Sequence, residues 1–303
     1  MSLNDKAYQK ITDQIIKIME SGRIPWIRTW NAGGAVGRPL SATSGEPYRG
    51  INEFLLGCAA DEKAYNSRYW VTFVQAQKLG GYVKQGEKAT PAIFWTLWKH
   101  PKETDKNGKP KQITLLKVFR VFNLDQCEGV TLPPRMEKHD RTKKPTLNAN
   151  ERIETADRIA TEYMNREGIE LETGGNQPAY SYARDVVIMP KLKHFDDSEK
   201  YYQTFFHEII HSTGHPNRKA RKIANKFGSS SYAKEELVAE IGAAYLCNVA
   251  GIEPHIENTA AYLQSWLSAL RNDKKLIVEA SSQARRAVEY VTDTTDTPVE
   301  TAA

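Results

Sequence analysis

Cysteine is scarce in this chain: its 303 residues include three, Cys58, Cys127 and Cys247, too far apart for a CxxC pair and odd in number. That argues against a disulfide framework, and it predicts a reducing compartment. Long apolar runs are also missing. No stretch approaches the ~18 residues a membrane span needs, and the opening Met1–Lys6 has no signal-peptide core. The expectation is a soluble, cytoplasmic protein with no membrane partner. Strong charge of one sign is absent too, since 42 Lys and Arg face 37 Asp and Glu for a net +5. That total conceals an uneven spread: residues 1–140 hold 21 basic and 14 acidic side chains, an excess of seven, whereas the remainder holds 21 and 23, a deficit of two. The whole positive excess sits in the first part, as it would if that part met a polyanion.

Histidine is infrequent as well, at seven, yet His207, His211 and His215 fall close together. Phe205-Phe206-His207-Glu208-Ile209-Ile210-His211 carries HExxH within a run, Asp197 to Ser212, that no proline interrupts and that Tyr201, Tyr202, Phe205, Phe206, Ile209 and Ile210 stripe with apolar side chains at helical spacing. Two histidines four apart share a helix face, so their rings can converge on one Zn2+ per chain, or another divalent ion, while Glu208 stands beside the metal-bound water as general base. A third ligand is needed. Tyr232 to Leu246 reads as a second helix on which Glu236 and Glu240 lie one turn apart, among the small residues Ala233, Ala243 and Ala244. In a gluzincin arrangement Glu236 binds the metal and Glu240 orients a ligand histidine; the spacing alone equally permits the reverse. His215 comes two residues early for a metzincin ligand and is expected to stabilise its loop. Upstream, Asp185 to Met189 reads as an edge strand that could hold an extended peptide by main-chain pairing. Tyr180 and Tyr182 beside it are candidates for an oxyanion or substrate contact, or for packing.

Thr131 to Asn148 is charged, proline-bearing and aperiodic, and reads as a linker. The expected organisation is α+β in two domains: an α+β single-stranded-DNA-binding domain over 1–130, the linker at 131–148, a mostly helical zincin-like metallopeptidase domain with a small sheet over 149–291, and a disordered tail at 292–303. In the first domain, helices are predicted near 4–19, 52–61 and 72–79, and strands over 92–98 and 113–122. Five of six tryptophans, Trp26, Trp30, Trp70, Trp95 and Trp98, precede the linker, interleaved with Arg28, Arg49, Lys84 and Lys88 among other cations. Rings beside cations suit single-stranded nucleic acid, whose bases stack and whose phosphates need neutralising. Trp26, Arg28, Trp30, Arg49, Trp70, Lys84 and Lys88 are therefore candidate DNA contacts.

Longer strings carry a resemblance. Tyr48-Arg49-Gly50-Ile51-Asn52, Trp70-Val71-Thr72-Phe73-Val74-Gln75-Ala76, Gly80 to Lys88 and Val121 to Gly129 resemble the N-terminal domain of the ArdC family of plasmid antirestriction proteins. Tyr201 to His215 and Glu235 to Glu240 resemble its zincin domain. The resemblance implies single-stranded-DNA binding, adds Asn52 to the candidate contacts, and implies a plasmid-encoded bacterial protein that shields incoming DNA from restriction. Its general plan is also similar to Spartan-type proteases that cut proteins crosslinked to DNA. Two functional classes follow. One is a DNA-recruited zinc metalloprotease whose substrate is a protein on DNA, for example a restriction enzyme; the other is a DNA-binding protein whose metal site is a scaffold. A weaker third is an accessory to a primase or conjugation machine.

Overall fold

A computed structural model describes residues 3–27, 38–104, 110–133, 149–221, 230–252, 254 and 260–294. The chain divides into two units. Among the described residues the first takes 3–18 and 38–133, and the second takes 19–27 and 149–294. The segment 19–27, with Trp26, thus belongs to the second unit although composition placed it in the first. The expected linker from 134 onward and the expected tail from 295 onward lie outside the described residues. No described helix is long and apolar enough to cross a membrane.

The first unit begins with α1 (Leu3–Glu20), whose Tyr8, Ile11, Ile15 and Ile18 form one buried stripe at helical spacing. There follow β1 (Leu40–Ser41), α2 (Ile51–Lys63), β2 (Tyr69–Thr72), α3 (Phe73–Lys78), β3 (Tyr82–Val83), β4 (Thr90–Thr104), β5 (Pro110–Asn123) and β6 (Cys127–Glu128). The main sheet has the order β1-β2-β5-β4, with β1 and β2 parallel and the other neighbours antiparallel; β3 and β6 pair separately. β4 and β5 run past their predicted ends because each supplies the other's ladder from Thr90↔Val121 to Thr104↔Pro110. α3 starts at a reciprocal cap: Gln75 N donates to Thr72 Oγ1 (3.3 Å) and Thr72 N donates to Gln75 Oε1 (2.8 Å).

The second unit contains α4 (Ala149–Glu167), β7 (Glu170–Thr173), β8 (Ala179–Ser181), β9 (Val186–Met189), α5 (Ser198–Ser212), α6 (Ser230–Ala250), α7 (Ala260–Asn272) and α8 (Leu276–Val291). Its sheet has the order β7-β9-β8. The strand expected at the edge, β9, is instead central, parallel to β7 and antiparallel to β8. The physical reason is in its composition: Val186, Val187 and Met189 are buried in an unbroken apolar run, the mark of a strand paired on both sides. α5 is capped by Asp197, whose carboxylate accepts from Lys200 N at 2.8 Å. α6 is apolar all round, buried from Leu237 to Ala239 and from Ile241 to Cys247, and lies against both α5 and α8. At Gly242 a Cβ would stand 2.7 Å from Ile210 Cγ1, so only glycine lets α6 come this near to α5.

Candidate metal centre

His207 and His211 project from one face of α5, and their Nε2 atoms are 3.0 Å apart. Glu236, on α6, presents Oε2 at 3.6 Å from His207 Nε2 and Oε1 at 3.6 Å from His211 Nε2. Tetrahedral zinc with bonds of about 2.0–2.2 Å requires donors roughly 3.3 Å apart, so two imidazoles and one carboxylate at these separations fit a divalent ion and leave one position open. Among the described residues these three side chains form the one His/Cys/Asp/Glu group that could hold a metal. Glu208, next to His207 in the chain, is buried.

The far nitrogen of each ring also faces an acid. His207 Nδ1 lies 3.6 Å from Glu240 Oε1, and His211 Nδ1 lies 3.2 Å from Glu235 Oε1. An Nδ1 that faces a carboxylate holds the proton, which leaves the Nε2 lone pair directed at the donor cluster. Of the two orderings the sequence left open, this geometry has Glu236 on the metal side and Glu240 behind His207. Glu235 was not anticipated. It is buried and gripped by Arg221, whose Nε donates to Oε2 (2.9 Å) and NH2 to Oε1 (2.6 Å). Arg221 also donates to Thr213 Oγ1 (2.6 Å) and to the Ile210 carbonyl (2.7 Å), fixing it to the end of α5. Two adjacent glutamates read as solvated surface; the signal available was the arginine fourteen residues upstream in a chain where Glu235 falls on the buried side of α6.

Electrostatics follow from this crowding. Burial works against a charged His207, yet the hydrogen bond it donates to Glu236 and the surrounding carboxylates outweigh that and push its pKa up to about 9. Burial raises Glu236 and Glu235, but the His207 hydrogen bond and the neighbouring histidines hold Glu236 below its usual range, with Tyr232 contributing, and Arg221 does the same for Glu235. Four carboxylates around two rings call for a cation.

The loop after α5 is stapled to the sheet. Arg218 Nε donates to the Ser212 carbonyl (2.7 Å), and its guanidinium grips Asp185, with NH1 at 3.0 Å from Oδ2. Tyr180 donates its hydroxyl proton to Asp185 Oδ1 (2.6 Å) and accepts from Arg218 NH2 (2.9 Å). That hydroxyl is committed, which removes Tyr180 as an oxyanion donor in this arrangement. Tyr182 stacks at a tilt on His215, ring centroids 5.3 Å apart. His215 accepts from Asn217 N (3.3 Å) and stands outside the donor group.

Several expected DNA contacts of the first half are core. Trp26 is 1% exposed and meets Trp266 edge-on at 5.3 Å, and Trp70 is 0% exposed among Tyr48, Leu56, Ala92 and Val121. A buried indole has no face to offer a base. Asn52 is buried as well: its amide donates to the Ile93 carbonyl (2.7 Å) and accepts from Ile93 N (2.7 Å), closing the open side of β4 as a strand would. Arg49 is half-buried near Glu46, at 3.9 Å. Lys84 and Lys88 are exposed, with Lys84 Nζ donating to the Asp125 carbonyl (3.0 Å). Arg28 and Trp30 lie outside the described residues. Among the described residues of this half the exposed large rings are others: Phe73 (50%), which opens α3, and Tyr82 (54%), on β3. Phe73 was legible through the Thr72-x-x-Gln75 cap, since an apolar side chain on the first turn of so short a helix has little to cover it.

Comparisons with known proteins cover both units. The family model described as the N-terminal domain of anti-restriction factor ArdC matches residues 5–122, and that of a zincin-like metallopeptidase matches residues 158–283. Uncharacterized protein y4eC of Sinorhizobium fredii is 32% identical over 296 residues, which are 94% of this chain and 91% of that protein. A DNA primase TraC of Escherichia coli is 31% identical over 300 residues, 94% of this chain but 20% of the primase, so the chain corresponds to a minor part of it. The crystal structure of the antirestriction ArdC protein from the R388 plasmid, metal-free, has a TM-score of 0.73 at 35% identity, covering 94% of this chain and 96% of that one. Its Mn(II)-bound structure has a TM-score of 0.72 at 32% identity, covering 97% and 98%. With sequence and fold shared along almost its whole length, the chain belongs to the ArdC family of antirestriction proteins, and its second unit is a zincin-like metallopeptidase domain.

Proposed function

We propose that this protein protects incoming plasmid DNA from restriction by binding single-stranded DNA through its first unit and hydrolysing a DNA-associated protein at its metal centre. The observation that carries the hydrolytic part is the donor set: three protein donors, one fewer than a tetrahedral ion takes, with buried Glu208 next to His207 in the chain and acting on its charge. A structural metal site closes its fourth position and needs no general base. The R388 relative, similar to this chain to the same degree in its metal-free and Mn(II)-bound forms, also argues against a metal whose task is to hold the fold.

His207, His211 and Glu236 would hold the ion, zinc by the chemistry of the donors or manganese as in the relative. When bound, it supplies Lewis acidity and lowers the pKa of water to about 7. Glu208 accepts the proton of the attacking water and delivers it to the leaving amine nitrogen. Glu240 and Glu235 keep the two rings in the tautomer that faces the ion. β7 and β8, the two edge strands, are the elements open to main-chain pairing with an extended peptide. On the first unit, the exposed Phe73 and Tyr82 offer stacking faces on α3 and β3, and Lys84 and Lys88 offer charge nearby in the chain.

The test is Glu208→Ala in a restricting host. The variant should retain Mn(II) and oligonucleotide affinity while losing protection together with proteolysis. Full protection by a variant that binds DNA normally and cleaves nothing would sink the proteolytic reading and leave the DNA-binding one.

A further inference from the structure

The second half of the chain is acidic overall, yet its basic side chains are not scattered evenly. On the side of α6 that faces the end of α5 and α8 lies a cavity of about 510 Å³ lined by Lys219, Arg221, Lys234 and Arg286, with Glu235, Ser231, Gln283 and Ala220 completing the wall. Four cations meet one carboxylate there. Two of the four are matched: Arg221 by Glu235, and Lys234 by Glu279 from α8. The remaining pair, Lys219 and Arg286, is exposed. Lys219 Nζ rests 4.2 Å from the centroid of the Tyr290 ring, a contact that places the ammonium without neutralising it. Arg286 has no ion-pair or hydrogen-bond partner among the described residues. Among the described residues that line it, two positive charges are left without an opposite charge, with hydroxyl and amide groups from Ser231 and Gln283 in the same wall.

From this arrangement we infer that the cavity is an anion site for a phosphate group, either a phosphodiester of bound DNA or a free phosphate. Lys219 and Arg286 match the charge of a phosphate, the planar guanidinium of Arg286 can meet two of its oxygens at once, and the Gln283 amide can donate to another. The site is separate from the metal donors, but one wall is the Arg221–Glu235 pair that orients His211, so an anion bound there lies against the support of the metal centre. The inference concerns binding alone. It stands whether or not the centre hydrolyses peptides.

Titration of inorganic phosphate into the full-length protein, followed by calorimetry, tests it. The titration is run with Mn(II) and again after chelation, because phosphate held by the metal disappears on chelation and phosphate held by the cavity does not. Saturable binding should survive chelation, weaken on the order of tenfold in Arg286→Ala, and recover in Arg286→Lys. The control is that Arg286→Ala keeps the wild-type Mn(II) affinity and circular dichroism. A short oligothymidylate that displaces the phosphate identifies the DNA backbone as the source; failure to displace identifies a free phosphate. No saturable binding after chelation, or equal binding by Arg286→Ala, overturns the inference.

Discussion

The two units differ in what most of their buried polar side chains face. In the first, buried polar groups stand in for backbone: Asn52 closes the open side of β4, and Asn123 joins a reciprocal cap with Gln126 while its amide donates to the Ser67 carbonyl at 2.7 Å. They are neutral and satisfied. Its cations Lys84 and Lys88 stay outside, and its buried carboxylate, Glu53, is met from the surface by Arg38, itself 48% exposed, at 3.0 Å. In the second, charges go inside and face each other: Glu208, Glu235, Glu236 and Glu240 crowd two imidazoles, and Arg221 is nearly as buried as the carboxylate it grips, at 8% and 5% side-chain exposure. Neutral amides close backbone edges in the first unit, whereas the carboxylates and imidazoles of the second face one another in an arrangement that favours one more positive charge.

The contrast can be broken most severely at the charges. Arg221→Ala leaves Glu235 buried without its partner and should destabilise the second unit by about 3–5 kcal/mol, while Glu235→Gln, which removes the charge and keeps the shape, should be milder in stability and weaken Mn(II) about 10- to 100-fold. Urea unfolding of both variants with metal titration checks this; equal and small losses would mean the pair is ordinary surface. In the first unit, Trp70→Ala should cost about 3–5 kcal/mol of stability by opening a cavity. Oligonucleotide affinity of its folded fraction should match wild type, and a selective loss of DNA binding without destabilisation would return Trp70 to the interface. Phe73→Ala should do the reverse, keeping stability and losing about 1–3 kcal/mol of oligonucleotide affinity, read from a salt titration. Asn52→Ala, which orphans the Ile93 N–H and carbonyl, should cost about 1–3 kcal/mol.

A smaller effect sharpens the comparison through pH. His207 is raised from 6.5 to about 9 in the metal-free centre, so the stabilisation its proton provides is complete below pH 6.5 and is lost as pH rises through about 9. The chelated protein should therefore weaken across that window in denaturant, and the Mn(II)-loaded protein should not, because a ligand imidazole carries no proton on the bonded nitrogen. A parallel decline in both forms would place the titration elsewhere.

How much of this was legible depended on the range of the interaction. The two histidines could be read because a separation of four fixes a shared helix face, and Glu236 with Glu240 followed from one turn of the next helix. Glu235 escaped because its importance rests on Arg221, which a loop brings to it, and nothing in a helical period announces that. β9 was found as a strand but misplaced as an edge, since edge or centre is decided by β7 and β8, short strands with little apolar content of their own. Composition correctly marked the first half as basic and aromatic. It could not say which rings faced outward, because a tryptophan in a core and a tryptophan on a surface contribute identically to a count, and the burial of Trp26 depends on Trp266, 240 positions away.

Gly242 sets the tolerance of the donor cluster. Alanine would suit a helix interior better by about 1 kcal/mol, and yet its methyl would sit 2.7 Å from Ile210, a side chain itself fully buried and without room to retreat. The distance between α5 and α6 is thus gauged by a missing atom, two residues past Glu236's neighbour on the next turn, Glu240. Any larger side chain acts as a shim. It would move Glu236 away from His207 and His211 as a rigid body, so this position, which lies outside the donor group, sets the spacing of the three donors.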